Sequence, residues 1–380
     1  MNAAVNAIVP VRDYSATDLP LLQCGDLLRR LAIDVQTIAQ RAPSLADDSR
    51  WHRQSIDGHS HLVAQPVTFT PYAAAQPCSA RCRFCSENLR DTQGDRTSSA
   101  LRPTHDYFEN LALSMRELEG LPIGYSLSGL ETTDDLAWMD RMLDALQQHA
   151  SRSAVTERVL YTNGAGFADA ERGEWTTTRF VDFALDWSEV SRHHFDEHAN
   201  QNIMRFRRGV AAREQVAFER AVRVLTARIP VKLVCIVQRS GIADADLLMR
   251  YLDWARELGV TAVIFREFSQ LSADYVANTT ARYVAANRVA MSDLVPQVLA
   301  HRTQGREMHV FRATEGYYFW NLIARYRDID VIFEASDYAR MHAMHDSGRI
   351  YKLVFHTNGN LCAGWNPQRQ ELLRPRSRCD

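Results

Sequence analysis

Cys78-Ser79-Ala80-Arg81-Cys82-Arg83-Phe84-Cys85 places three thiols within eight residues, at offsets of four and three. A tight loop of that spacing can aim all three sulfurs at one point. Thiolates are soft ligands that select zinc, copper(I) or iron–sulfur clusters. Zinc usually draws four ligands from paired knuckles. This stretch has no second knuckle and no His inside the triplet, the nearest upstream being His59 and His61. Only seven cysteines occur in 380 residues, so three unrelated thiols would rarely fall together. A 4Fe–4S cubane normally takes four cysteines. Three with no evident fourth leave one iron for a ligand other than protein, with a zinc site as the alternative.

Outward from the loop, the chain reads as alternating strands and helices. Upstream, His61 to Thr70 is expected to be a strand, and residues 15–45 a helical stretch with a mixed apolar face. Downstream, strands are expected at Gly124–Ser128, Arg158–Thr162, Phe180–Trp187, Val231–Val237 and Ala262–Phe268. Helices are expected at His105–Leu118, Asp134–Ala150, Glu214–Ala227 and Ala243–Leu258, the last closed by Gly259. About six such units fit between residues 60 and 270, which implies a parallel sheet with helices outside. Beyond residue 270 the pattern changes. Ala273–Ala300 and Tyr317–Tyr326 read as helical, and His309–Ala313 as a strand. Ile350–Phe355 and Asn360–Ala363 read as a hairpin with Asn358-Gly359 at its tip.

Composition sets the bounds. Hydrophobic content of 46% and charged content of 24% are ordinary for a globular protein. A net charge of −2 argues against nucleic acid as a partner, because polyanion-binding surfaces are basic. No apolar run approaches the ~18 residues that span a membrane. The N-terminal stretch lacks the pattern of a secretory signal. An odd number of cysteines without a regular framework fits a reducing cytoplasm.

The cysteine stretch, with Phe84 just before its last Cys, resembles the hallmark of the radical S-adenosylmethionine superfamily. The resemblance spans roughly residues 60–270. It implies an α/β fold, a partial (β/α)6 TIM-type barrel over residues 59–272. Residues 1–58 then form an N-terminal helical extension and residues 273–380 a C-terminal α+β extension. The hairpin tail is similar to a reduced SPASM or twitch region, the cysteine complement of a full one being absent. The resemblance further implies two cofactors: a 4Fe–4S cluster on Cys78, Cys82 and Cys85, and S-adenosylmethionine on the open iron. In that family the reduced cluster cleaves S-adenosylmethionine to a 5′-deoxyadenosyl radical. An external one-electron reductant such as flavodoxin or ferredoxin is implied as a partner.

The other motifs follow expected strand ends, where barrels of this type carry their function. Ser128-Gly129-Leu130-Glu131 resembles the family's Gly-Gly-Glu segment, with Leu130 at the second Gly position; an ammonium group needs such carbonyl or carboxylate acceptors. Thr162-Asn163-Gly164 resembles a strand end near the cofactor's ribose. Ser191 and Arg192 are expected to meet the cofactor, as are Phe84 and Arg266. His193 and His194 are candidates for substrate binding or proton transfer, since histidine titrates near neutrality. Arg239, Glu267 and Cys362 complete the candidates near the substrate. A charged Arg266-Glu267 pair inside Val-Ile-Phe-Arg-Glu-Phe-Ser is costly unless it is paired or faces a polar cavity. Ordinary readings stand beside these: a capped turn, a solvated loop, an internal ion pair and a packed thiol. The leading expectation is a radical enzyme acting on a small polar metabolite in specialised biosynthesis. The alternatives are modification of a ribosomally made peptide and, in a different class, a non-catalytic iron–sulfur electron carrier.

Overall fold

The computed structural model describes residues 11–13, 23–32, 35, 37–44, 48–72, 76–90, 92, 94–95, 97, 101–271, 273–301 and 308–375. The N-terminal part comprises β1 (Val11–Asp13), α1 (Gly25–Leu31), β2 (Thr37–Gln40), β3 (Trp51–Ile56) and β4 (His59–Pro71). The helix expected across 15–45 is confined to α1 in the described residues. Thr37-Ile38-Ala39-Gln40 is a strand, its β-branched and small residues lying beside β10 (Met308–Glu315).

A regular alternation then follows: α2 (Tyr107–Glu117), β5 (Ile123–Leu127), α3 (Leu136–Ala150), β6 (Val155–Thr162), α4 (Ala165–Ala168), α5 (Gly173–Asp182), β7 (Trp187–Ser191), α6 (Glu197–Met204), α7 (Gln215–Thr226), β8 (Val231–Ile236), α8 (Ala245–Glu257) and β9 (Ala262–Arg266). Six strands, β4 to β9, run parallel and adjacent in chain order. The strand expected at Phe180–Trp187 is instead the end of α5, with the strand beginning at Trp187. Thr176, Thr177 and Phe180 recur at helical spacing on the buried side of α5, and an apolar run that short does not distinguish the two periods. Acidic caps open the helices: Asp135 accepts the Trp138 N–H at 3.0 Å and Asp244 the Leu247 N–H at 2.9 Å. In α3, Met139, Met142, Leu143 and Leu146 turn one stripe onto the sheet.

The remainder comprises α9 (Thr279–Asn287), α10 (Met291–Ala300), β10, β11 (Phe319–Tyr326), β12 (Ile329–Ser336), α11 (Tyr338–His345), β13 (Ile350–Phe355), β14 (Leu361–Cys362) and β15 (Glu371–Leu373). Tyr317–Tyr326 was expected as a helix and forms β11, since Leu322, Ala324 and Tyr326 are buried at a period of two. This C-terminal part is not a separate layer. Its β12 lies parallel to β9 at one edge of the six strands, and its β13 lies parallel to β4 at the other. One sheet therefore runs through all three expected segments.

The sheet curls, and its two faces differ in chemistry. Phe69, Tyr125, Leu160, Val190, Leu233, Val263, Phe333 and Leu353 point outward into the continuous apolar core under the helices. The alternate positions hold Thr68, Glu157, Tyr161, Glu189, Lys232, Arg266, Glu334 and Lys352. Arg266 and Glu189, two strands apart, approach to 3.6 Å. Glu157 lies flat across Gly124 of the neighbouring strand, where a Cβ would stand 2.6 Å from Glu157 Cγ. The inner face thus carries these charged groups among apolar side chains such as Val234, Ile264 and Val354, while the outer face packs under the helices.

Candidate active site

The cysteine loop follows the carboxyl end of β4 and is pinned across the barrel mouth. The Arg81 N–H donates to the Met204 carbonyl at 3.0 Å and Arg83 N–H to Ile203 at 3.1 Å, while Arg207 N–H donates back to Ser79 at 2.9 Å. These bonds tie the loop to the end of α6. The Ser79 N–H donates to Asp134 at 2.6 Å, which ties it to the segment after β5. Within the loop, Cys85 N–H donates to the Cys82 carbonyl at 3.2 Å, tightening the turn that carries the last two thiols.

All three thiols are half-buried. Burial pushes Cys78 up to about 12, with Glu131 adding to the effect, and Cys85 up to about 11, with Glu87 adding. Cys82 is raised well above the ordinary thiol range by burial and by the neighbouring Cys85 and Cys78. Cys85 raises both Cys78 and Cys82, and Cys78 raises Cys82, so the thiols lie within electrostatic reach of one another, and a bound cation reverses that sign by favouring the thiolates. Among the described residues, no three His, Cys, Asp or Glu side chains gather around one point as a single metal ion needs. A cubane would spread its thiolates over separate irons, and three soft thiols within electrostatic reach of one another are the donor type it takes. Cys78 Sγ also accepts from the Ala80 N–H at 3.4 Å and from Asn163 Nδ2 at 3.6 Å, contacts of the kind that tune a cluster thiolate. Phe84 turns inward, edge-on to His193 at 4.8 Å and tilted against Phe268 at 5.4 Å.

The strand-end motifs surround this loop. Ser128 continues the β4–β5 pairing through Tyr72, and the backbone then takes left-handed conformations at Gly129 and Leu130. A Cβ on Gly129 would meet the Tyr72 ring at 2.9 Å, so the turn requires glycine. Glu131 is fully buried, and its carboxylate accepts from Thr133 N–H (3.2 Å), Thr133 Oγ1 (2.6 Å), Thr162 Oγ1 (2.7 Å) and Asn163 N–H (2.6 Å). Burial and the nearby Asp134 raise it to about 7 despite these donors. Three of these bonds fall on Oε1 and one on Oε2, so the carboxylate ties the segment after β5 to the end of β6. Asn163 sits beside it, donating to Ser79 Oγ at 2.9 Å.

Arg192 lies inside the protein. It has no exposed surface, donates to the Ala212 carbonyl at 3.0 Å and to Gln215, and lies 4.5 Å over the Phe218 ring. Burial lowers it to about 10. It braces the α6–α7 connection from inside, whereas Ser191 stays half-exposed at the end of β7. His193 is buried, with Nδ1 accepting the Ile236 N–H at 3.1 Å. Burial, with Arg192 and Arg266 nearby, lowers it to about 3. With Nδ1 accepting a backbone N–H, burial favours the neutral imidazole. His194 Nδ1 accepts the Asp196 N–H at 2.9 Å in the same loop, and burial lowers it too.

Arg266 faces the lumen, bonded to Glu334 of β12 and 3.6 Å from Glu189 of β7. Burial disfavours its charge, but the two carboxylates outweigh that and hold it above the ordinary range. Glu267 faces the other way. It accepts the Met291 N–H at 2.7 Å at the start of α10 and pairs with Arg288, so it anchors a helix outside the lumen. Arg239 is exposed. Cys362 is buried on β14, where burial and Glu371 push its thiol up to about 12. Cys379 lies outside the described residues.

Lumen residues that sequence reading missed are Glu157, Glu189, Lys232, Glu334 and Lys352. Lys232 and Lys352 stand in mostly apolar strands, the same signal that drew attention to Arg266, whereas Glu157, Glu189 and Glu334 share theirs with other polar residues. Glu157 pairs with Arg41 at 2.7 Å, and Lys232 Nζ lies 3.8 Å from the Trp187 ring centre.

No protein-family model and no curated protein matches the chain. Among solved structures, it is similar to anSMEcpe with bound AdoMet (13% identity, TM-score 0.40, covering 55% of this chain and 54% of that one). It is also similar to SuiB of Streptococcus suis bound to the precursor peptide SuiA (12% identity, TM-score 0.47, 79% and 59%). A third is TsrM of Kitasatospora setae, a radical S-adenosylmethionine methyltransferase with tryptophan substrate and a SAM analog bound (15% identity, TM-score 0.34, 52% and 35%). The chain spans little more than half the length of the first of these.

Proposed function

We propose that the chain is a radical S-adenosylmethionine enzyme acting on a small polar substrate held in the barrel lumen. The observation that carries this reading is the placement of Cys78, Cys82 and Cys85 together across the mouth of a parallel β/α barrel whose inner face carries several charged residues. When bound, a reduced 4Fe–4S cluster on these thiols supplies the electron that cleaves S-adenosylmethionine and yields a radical able to abstract hydrogen from carbon.

The chain's own residues supply the setting. The hydrogen bonds from Arg81 and Arg83 hold the cysteine loop rigidly over the mouth. Ser128, Gly129 and Ser191, at the ends of β5 and β7, present half-open positions for a bound nucleoside and its amino-acid end. Asn163 orients the loop through Ser79 and Cys78. Phe84 and Phe268 pack an apolar lining against the neutral ring of His193, which limits water beside a reactive intermediate. Below them, Arg266, Glu189, Glu334 and Tyr161 offer fixed charges and hydroxyls to a polar substrate. An external reductant such as flavodoxin or ferredoxin would deliver the electron, in a reducing cytoplasm. No helix among the described residues is long and apolar enough to cross a membrane.

Electron paramagnetic resonance tests this reading. The dithionite-reduced, reconstituted protein is expected to show a 4Fe–4S signal that changes on adding S-adenosylmethionine. A cluster signal indifferent to S-adenosylmethionine would point instead to an electron carrier.

A further inference from the structure

The lumen charges do not all cancel. Arg266 faces Glu334 and Glu189, and Arg41 pairs with Glu157. Lys352, on the inner face of β13, is 9% exposed, and among the described residues no carboxylate joins it in an ion pair. Its ammonium donates once, to Thr68 Oγ1 of β4 at 3.1 Å, and lies 4.6 Å from the centre of the Trp365 ring. An ammonium carries three donors, so two remain unspent in a site largely removed from water. A buried unpaired charge is costly, and a native structure keeps one where something else completes it.

The position matters as much as the charge. Lys352 pairs in register with Thr68, and Phe355 with Pro71 at the end of β4, the strand that feeds the cysteine loop. Three residues of strand separate the two levels, ~10 Å at the usual rise. A molecule gripped at Lys352 would extend up the lumen towards the mouth. One ammonium with a single unmet charge matches a monoanion. A phosphate dianion would call for a guanidinium fork or several cations.

We propose that the lumen takes a substrate bearing a carboxylate, and that Lys352 Nζ receives it, with Thr68 Oγ1 and the Trp365 ring fixing the ammonium. The proposal rests on the reading that the chemistry occurs at the mouth above. The carboxylate can belong to a small organic acid or to a peptide; the ammonium contact is the same.

Fluorine NMR on the cluster-loaded protein under anaerobic conditions tests it. The probes are 4-fluorobenzoate and 4-fluorobenzamide, and the tripeptide Gly-Gly-4-fluorophenylalanine as free acid and as C-terminal amide. At least one acid is expected to bind about tenfold more tightly than its amide, the scale of a hydrogen bond to a charged group. Which acid binds identifies the source. Lys352→Met should abolish that preference while the protein still melts as one cooperative unit. Lys352→Gln, polar but neutral, gives the same reading should the methionine variant fold poorly. The proposal is overturned if neither acid binds, if acid and amide bind alike, or if both variants keep the preference. Failure of the radical reading would show separately, as absence of 5′-deoxyadenosine, without touching the carboxylate preference.

Discussion

Asn163 Nδ2, just past the end of β6, reaches the sulfur of Cys78 at 3.6 Å. An N–H donor stabilises negative charge on sulfur and so favours a reduced cluster. Asn163→Ala is therefore expected to keep the iron content and lower the midpoint potential, by on the order of tens of millivolts. Redox titration followed by electron paramagnetic resonance measures it. An unchanged potential would mean that Asn163 only braces the loop through Ser79.

Gly124 and Glu157 share one patch of the inner sheet face. A methyl on Gly124 would meet Glu157 Cγ at 2.6 Å and push the carboxylate off Arg41. Gly124→Ala should cost about 1–3 kcal/mol, the usual range for an overpacked interior. Chemical denaturation measures the loss, and Gly94→Ala is a poor comparison because its own φ is positive. A neutral Gly124→Ala would show that the Glu157 side chain has room to move.

Lys352 gives stability a pH dependence. Burial lowers its pKa to about 7, partly offset by Glu157 and reinforced by Arg41. The unfolded chain keeps this lysine protonated up to about 10.4. Between about 7 and that value the unfolded state binds the extra proton, so this group makes stability rise with pH. Below pH 7 both states are protonated and the full burial cost remains. Lys352→Met should thus raise stability at pH 6, by a few kcal/mol (roughly 1.4 per pKa unit), and by less at pH 9.5. Equal gains at both pH values would contradict a lowered pKa.

Cys362 is enclosed on β14, its backbone paired with Val354 of β13. Cys362→Ala should leave iron and sulfide per chain unchanged and cost about 1 kcal/mol or less in packing. Elemental analysis of the reconstituted protein decides it. Loss of a whole cluster's iron would reveal an auxiliary site.

The architecture was legible where period and length agreed. Val231–Val237 and Ala262–Phe268 are short apolar runs closed by polar residues, and both are strands in the expected places. Phe180–Trp187 misled because the end of a buried helix and the start of a strand share one apolar run. Tyr317–Tyr326 misled because the aromatic cluster masked the alternation at Leu322, Ala324 and Tyr326. The cysteine loop was legible because three ligands lie in one local stretch. The lumen was not, because Glu157, Glu189 and Lys352 come from distant strands and meet only once the sheet curls. Glu131 and Arg192 carried functional expectations as residue types. The structure adds what the sequence hides, that both are buried and bonded within the protein, to Thr133 and Thr162 for one and to Ala212 and Gln215 for the other.

The central claim is that Cys78, Cys82 and Cys85 support reductive cleavage of S-adenosylmethionine. The most direct measurement is 5′-deoxyadenosine formed by the anaerobically reconstituted, reduced protein, set beside Cys82→Ala. The parent protein is expected to form 5′-deoxyadenosine and the variant none, with the variant's circular dichroism unchanged. Equal formation by a folded Cys82→Ala protein would contradict it.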